Sequence, residues 1–234
     1  MDSNDVERMR LKKQQKKARR KEKKAAKERA SETAVHISEA LRRVRMLWPG
    51  LMNGTLKKFH TQAAAFGPLN ELTYEDWEQL GRDLDNCDKL ETIHFHNETI
   101  VRGEINFDQM ISYLFRGWTR QSSIRGMEFA FNQLSVAGVR SMVPFLRRAG
   151  NLQLLHLRDS NIQSEGFNML YRALQDSPIR RLICDGCDIE SIEIVIEHAP
   201  RHLEFLDLSG NDINADGCRE LAKLLQGEIG RAHV

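Results

Sequence analysis

One spacing recurs along this chain and limits what it can fold into more than any other feature. Near the carboxyl end it runs Leu203-x-x-Leu206-x-Leu208-x-x-Asn211-x-Ile213, then Gly217 and the apolar set Leu221, Leu224 and Leu225. The same order returns from Leu152 (Leu155, Leu157, Ser160, Ile162, Gly166, Leu170, Leu174). It returns again from Ile124 (Met127, Phe129, Asn132, Leu134, Gly138, Met142, Leu146). Weaker copies begin at Ile179, with Leu182, Cys184, Cys187 and Ile189, and at Leu90, with Ile93, Phe95 and Ile100. The starts at 90, 124, 152, 179 and 203 lie 34, 28, 27 and 24 residues apart, a period that points to stacked supersecondary units.

Each unit changes period halfway along. Apolar residues two apart (Leu155/Leu157, Leu206/Leu208) suit a short strand, and residues four apart (Met142/Leu146, Leu170/Leu174) suit a helix. Such a unit cannot bury its own apolar stripe, so neighbours must cover it on both sides. Each buried aliphatic side chain then contributes about 1.5–3 kcal/mol against the ordering entropy. Gly138, Gly166 and Gly217 recur four residues after the aliphatic residue that closes the loop, where the chain is expected to turn tightly into its helix.

This pattern resembles the leucine-rich repeats of the ribonuclease-inhibitor type, whose long units pair a strand with a full helix. The resemblance covers about residues 71–227 and implies an α/β solenoid, with parallel strands on the concave face and helices on the convex face. Thr73-Tyr74-Glu75-Asp76 reads as a capping box ahead of Trp77, Leu80 and Leu84, predicting a cap helix over about 73–86 that covers the first repeat. Cys184 and Cys187 fall on framework positions of their repeat, and no second pair lies at zinc-finger spacing, so buried packing is expected of them.

The register also names the side chains that line the concave face. Between the two buried strand positions of each repeat lie His94, Glu128, His156, Ile183 and Asp207, and two residues further lie His96, Ala130, Arg158, Asp185 and Ser209. Adjacent strands about 4.8 Å apart would stack these into ladders. His94, His96 and Glu128 are acceptable metal-ligand types, but the spacing alone shows no closed geometry or supporting shell, and no metal is assigned. A polar face used for partner contacts needs only the repeat. Phe131, Phe205, Arg158 and Arg181 are the expected contact anchors, because interface energy concentrates in aromatic and arginine side chains.

No glycine-rich phosphate loop, H-E-x-x-H or G-x-S-x-G occurs, so neither a catalytic residue nor a cofactor site is assigned. The expected function is a non-catalytic module that binds a protein partner. An alternative is regulation of a small GTPase, since Ran-type GTPase-activating proteins are built from similar repeats. There an arginine would stabilise the transferring phosphoryl group.

The net charge of +2 conceals an asymmetry: residues 1–50 hold 16 Lys/Arg and 7 Asp/Glu, and the rest hold 19 and 26. Residues 1–33 therefore form a basic arm. Residues 8–29 are helix formers without Gly, Pro or a heptad seam, which reads as a charged helix or a disordered tail. Nuclear import or nucleic-acid contact would run through Lys12, Lys13, Lys16, Lys17, Arg19, Arg20 and Lys21.

Residues 34–49 read as an amphipathic helix striped by Ile37, Leu41, Val44 and Trp48, expected to dock on the amino-terminal end of the solenoid. Residues 50–70 read as a connector. No stretch approaches about 18 apolar residues, and the first thirty residues carry charge where a secretory signal would be apolar, so no membrane span is expected. Four scattered cysteines suit a reducing compartment, cytoplasmic or nuclear. Finally, Glu228–Val234 reads as the translation of a sequencing-library adapter, after which the natural chain would continue into further repeats.

Overall fold

The computed structural model describes residues 37–61, 68–96, 105–119, 123–193 and 199–226. The basic arm and Glu228–Val234 lie outside the described residues.

Six strands form one sheet in chain order, each parallel to the next: β1 (Lys58–His60), β2 (Thr92–His96), β3 (Gly126–Ala130), β4 (Leu154–Arg158), β5 (Arg181–Asp185) and β6 (Phe205–Asp207). Helices α1 (Glu39–Leu47) and α2 (Gly50–Asn53) precede β1, and α3 (Tyr74–Asp85), α4 (Phe107–Gly117), α5 (Val136–Leu146), α6 (Gln163–Ala173) and α7 (Ala215–Gln226) follow β1, β2, β3, β4 and β6 in turn. Alternation within each strand divides the faces. Ile93 and Phe95, Met127 and Phe129, Leu155 and Leu157, and Leu182 and Cys184 are fully buried. Their neighbours His94, Glu128, His156 and Ile183 stay half-buried. Phe59, Phe95 and Phe129 carry the core across three strands, with successive ring centroids 5.7 and 5.6 Å apart. Phe129 meets Phe107 of α4 edge-on, which places α4 behind the buried face.

Backbone hydrogen-bonding groups at several helix starts are met by nearby side chains. The expected capping box is present: the Thr73 hydroxyl accepts from the Asp76 N–H and the Asp76 carboxylate accepts from the Thr73 N–H. Asn106 and Gln109 build an amide version at α4. The helix α1 is capped by Ser38 and docks on the amino-terminal end, burying Leu41 and Val44. Trp48 then packs on Phe59, centroids 4.6 Å apart. Arg45 donates two hydrogen bonds to Asp83 of α3, at 2.7 and 2.9 Å.

Three features depart from the sequence reading. Residues 50–70, expected as a connector, contain α2, β1 and a turn of 3-10 helix at Pro68–Glu71. Lys58 pairs with Thr92 as Thr92 pairs with Gly126, the same 34-residue step, so a repeat begins at Leu56. Thr61, buried at the position where later repeats place Phe, Leu or Cys, disguises it; its hydroxyl accepts from the His96 N–H at 2.9 Å.

Secondly, Gly138, Gly166 and Gly217 lie inside their helices at ordinary φ, not at tight turns. A Cβ there would press on Leu134, Ile162 or Ile213, the loop-closing residue of the same unit. Close packing, rather than backbone freedom, favours glycine there. Thirdly, the shortest repeat holds no helix among its described residues between Asp185 and Phe205, although Ile189 and Ile192 are still buried.

Candidate functional site

The half-exposed face of the sheet carries a ladder set by strand register. His60, His94, Glu128, His156, Ile183 and Asp207 are successive partners across all six strands. A second row runs His96, Ala130, Arg158 and Asp185. Ala130 is buried, so it contributes no lining side chain. His60 went unseen in the sequence because its repeat was hidden by Thr61. The signal was present in the matching Phe59-His60 and Ile93-His94 pairs, 34 residues apart.

Glu128 is the hub of the amino-terminal half. Its two carboxylate oxygens bind His94 Nδ1 at 2.9 Å and His96 Nε2 at 3.0 Å, and His156 Nδ1 lies 3.7 Å away. These ligand atoms of His94, His96 and Glu128 all fall within 4.8 Å of one another. His60 stacks on His94, ring centroids 4.2 Å apart. Burial holds the His94 imidazole below its ordinary pKa, His60 adds to that effect, and Glu128 opposes it.

The ladder continues through Asp185, which takes His156 Nε2 at 3.3 Å and Arg158 Nε at 3.2 Å. At the far end Asp207 accepts from the Ser209 hydroxyl and N–H, at 2.7 and 3.0 Å, which lower its pKa. The four expected anchors come together as two pairs. The Arg158 guanidinium lies 5.1 Å from the Phe131 ring centre, and Arg181 lies 5.1 Å from that of Phe205.

Phe131 holds an unusual backbone. The equivalent position of successive repeats, directly after β3, β4 and β5 and three residues past β6, adopts a left-handed conformation: Phe131 at φ 56°, Asp159 at 47°, Gly186 at 61° and Gly210 at 67°. Glycine suits that position and a phenylalanine does not. Phe131 is nonetheless 44% exposed, one of few large apolar side chains in that state among the described residues.

Cys184 and Cys187 are both free and buried, as framework residues should be. Burial pushes the Cys187 thiol up to about 12 and raises Cys184 well above the usual range. Neither is poised for redox chemistry or metal binding in its ionised form.

A family model described as a leucine-rich repeat matches residues 199–222. No curated protein matches the chain at a significant level. Together with the six-stranded parallel sheet and its alternating helices, the match makes the fold an α/β leucine-rich repeat solenoid. No described helix is long and apolar enough to cross a membrane.

Proposed function

We propose that this leucine-rich repeat solenoid, of the ribonuclease-inhibitor type, is a non-catalytic module that holds a protein partner on the open face of its sheet. Phe131 carries the reading. Backbone strain at an exposed aromatic residue destabilises the free protein, and such outliers cluster where a surface is used. Fold alone would not license the step, since one architecture hosts many functions. Solenoids, however, offer extended surfaces suited to partners, and arginine and aromatic side chains concentrate binding energy. Arg158 and Arg181, both exposed and each laid over an aromatic ring, flank the ladder of His94, His96, Glu128, His156, Asp185 and Asp207. That ladder supplies the polar complementarity around them.

The test compares retention of partners from extract by the full chain and by single variants. Phe131→Gly and Arg181→Glu should each lose the bound protein, whereas Arg140→Glu, exposed on α5, should keep it. Equal retention by all three variants, or retention by residues 1–36 alone, would sink this reading.

A further inference from the structure

We propose that His94, His96 and Glu128 form a binding site for one divalent transition-metal cation, of the zinc or nickel class, on the open face of β2 and β3. The inference is independent of the partner-binding reading.

The argument starts from the backbone. His94 and His96 are two residues apart on one strand, so both point to the same face. Glu128 is the direct register partner of His94 on the adjacent parallel strand. Three ligand types that suit zinc and its neighbours in the transition series are therefore brought together by the most regular part of the fold. The positions do not depend on a loop.

The distances fit as well. Donors around a tetrahedral zinc ion, at about 2.0–2.1 Å from the metal, lie about 3.3 Å from one another. Glu128 Oε2 to His94 Nδ1 is 2.9 Å, and Glu128 Oε1 to His96 Nε2 is 3.0 Å. All three donor atoms lie within 4.8 Å of one another. Side-chain rotations of about an ångström would exchange these hydrogen bonds for coordinate bonds.

All three side chains are only 20–25% exposed, which limits competition from water while leaving an approach from the solvent side. Three protein ligands and one open position is the arrangement of a site that can accept a further ligand. The surroundings add support in the form of His156, whose Nδ1 lies 3.7 Å from Glu128 Oε1 and whose Nε2 is held by Asp185 at 3.3 Å.

The experiment uses the full chain without a polyhistidine tag, titrated with Zn2+ by calorimetry and with Co2+ by visible absorption. The proposal expects one equivalent of each metal per chain and the intense visible bands of a four-coordinate Co2+ complex. His96→Ala and Glu128→Gln should each weaken Zn2+ binding by at least about 100-fold, more than loss of an outer-shell partner causes. His202→Ala, on an exposed turn away from the cluster, should leave binding unchanged.

Glu128→Gln keeps the side-chain shape, so it decides the matter if a histidine variant fails to fold. Absence of stoichiometric binding by the wild-type chain would overturn the proposal. So would undiminished affinity in folded His96→Ala or Glu128→Gln, or loss of binding in His202→Ala.

Discussion

Two phenylalanines at the end of β3 do opposite work. Phe129 is fully buried, and truncating it to Ala should cost about 3–5 kcal/mol. Phe131 is half-exposed at φ 56°. Phe131→Gly relieves left-handed strain of about 1–2 kcal/mol. It also loses a ring–guanidinium contact of about 0.5–1 kcal/mol and adds glycine's chain entropy of similar size. The expected stability is within about 1 kcal/mol of wild type in urea unfolding, combined with loss of the partner. A cost above about 3 kcal/mol would make Phe131 a structural residue.

The cysteines give a second prediction at this scale. Cys218 is exposed and should react with a thiol reagent in the folded chain, while Cys184 and Cys187 should react only on unfolding. The Cys187 thiol stays protonated up to about 12 when folded, whereas the unfolded chain releases that proton near pH 8.5. Above that pH the unfolded state binds fewer protons than the native state, so stability falls as pH rises. Urea midpoints should fall between pH 8 and 10, and less steeply in Cys187→Ala. Equal slopes would show that this thiol does not control the effect.

Among the helices, a close backbone approach is made by two glycines that no periodicity argument singled out. Gly81 of α3 and Gly117 of α4 face each other's backbone: a Cβ on Gly117 would fall on the Glu78 carbonyl oxygen, and one on Gly81 on that of Leu114. A backbone atom cannot rotate away, so Gly117→Ala should destabilise by about 1–3 kcal/mol, even after its gain in helix propensity. Gly150→Ala, with nothing within 4 Å of the added Cβ, should stay within about 0.5 kcal/mol of wild type. Equivalent losses at both positions would refute the close approach.

The same elements show what was legible beforehand. Strands β2 to β6 and the rows on their open face followed from apolar spacing, because a period of two settles which side chains share a face. The first strand was not legible, since Thr61 breaks the apolar signal at a core position. The grouping of His94, His96 and Glu128 followed from the same register, whereas the hydrogen bonds by which Glu128 holds both histidines depend on side-chain rotation and were not legible. Phe131 could be named from the sequence as a candidate contact residue but not as a strained one, because backbone φ leaves no trace in residue type when the favoured glycine is absent.

At the scale of the molecule, a solenoid couples each unit mainly to its neighbours, so its two ends should be separable in unfolding. The chain provides its own reporters. Its three tryptophans, Trp48, Trp77 and Trp118, are all buried in the stretch from α1 to the residue after α4, and none lies beyond β3. Indole fluorescence therefore follows the amino-terminal units, while far-ultraviolet circular dichroism follows every helix. Leu206 is buried on β6, and Leu206→Ala should cost its unit about 2–5 kcal/mol. Urea should then remove part of the dichroism early in that variant, with the fluorescence midpoint almost where it is in the wild type. A closed globule with one shared core would respond differently, as the loss would spread to every probe and both midpoints would fall together. Coincident shifts would thus contradict nearest-neighbour coupling, whereas a split transition places the weakened unit at the carboxyl end of the sheet.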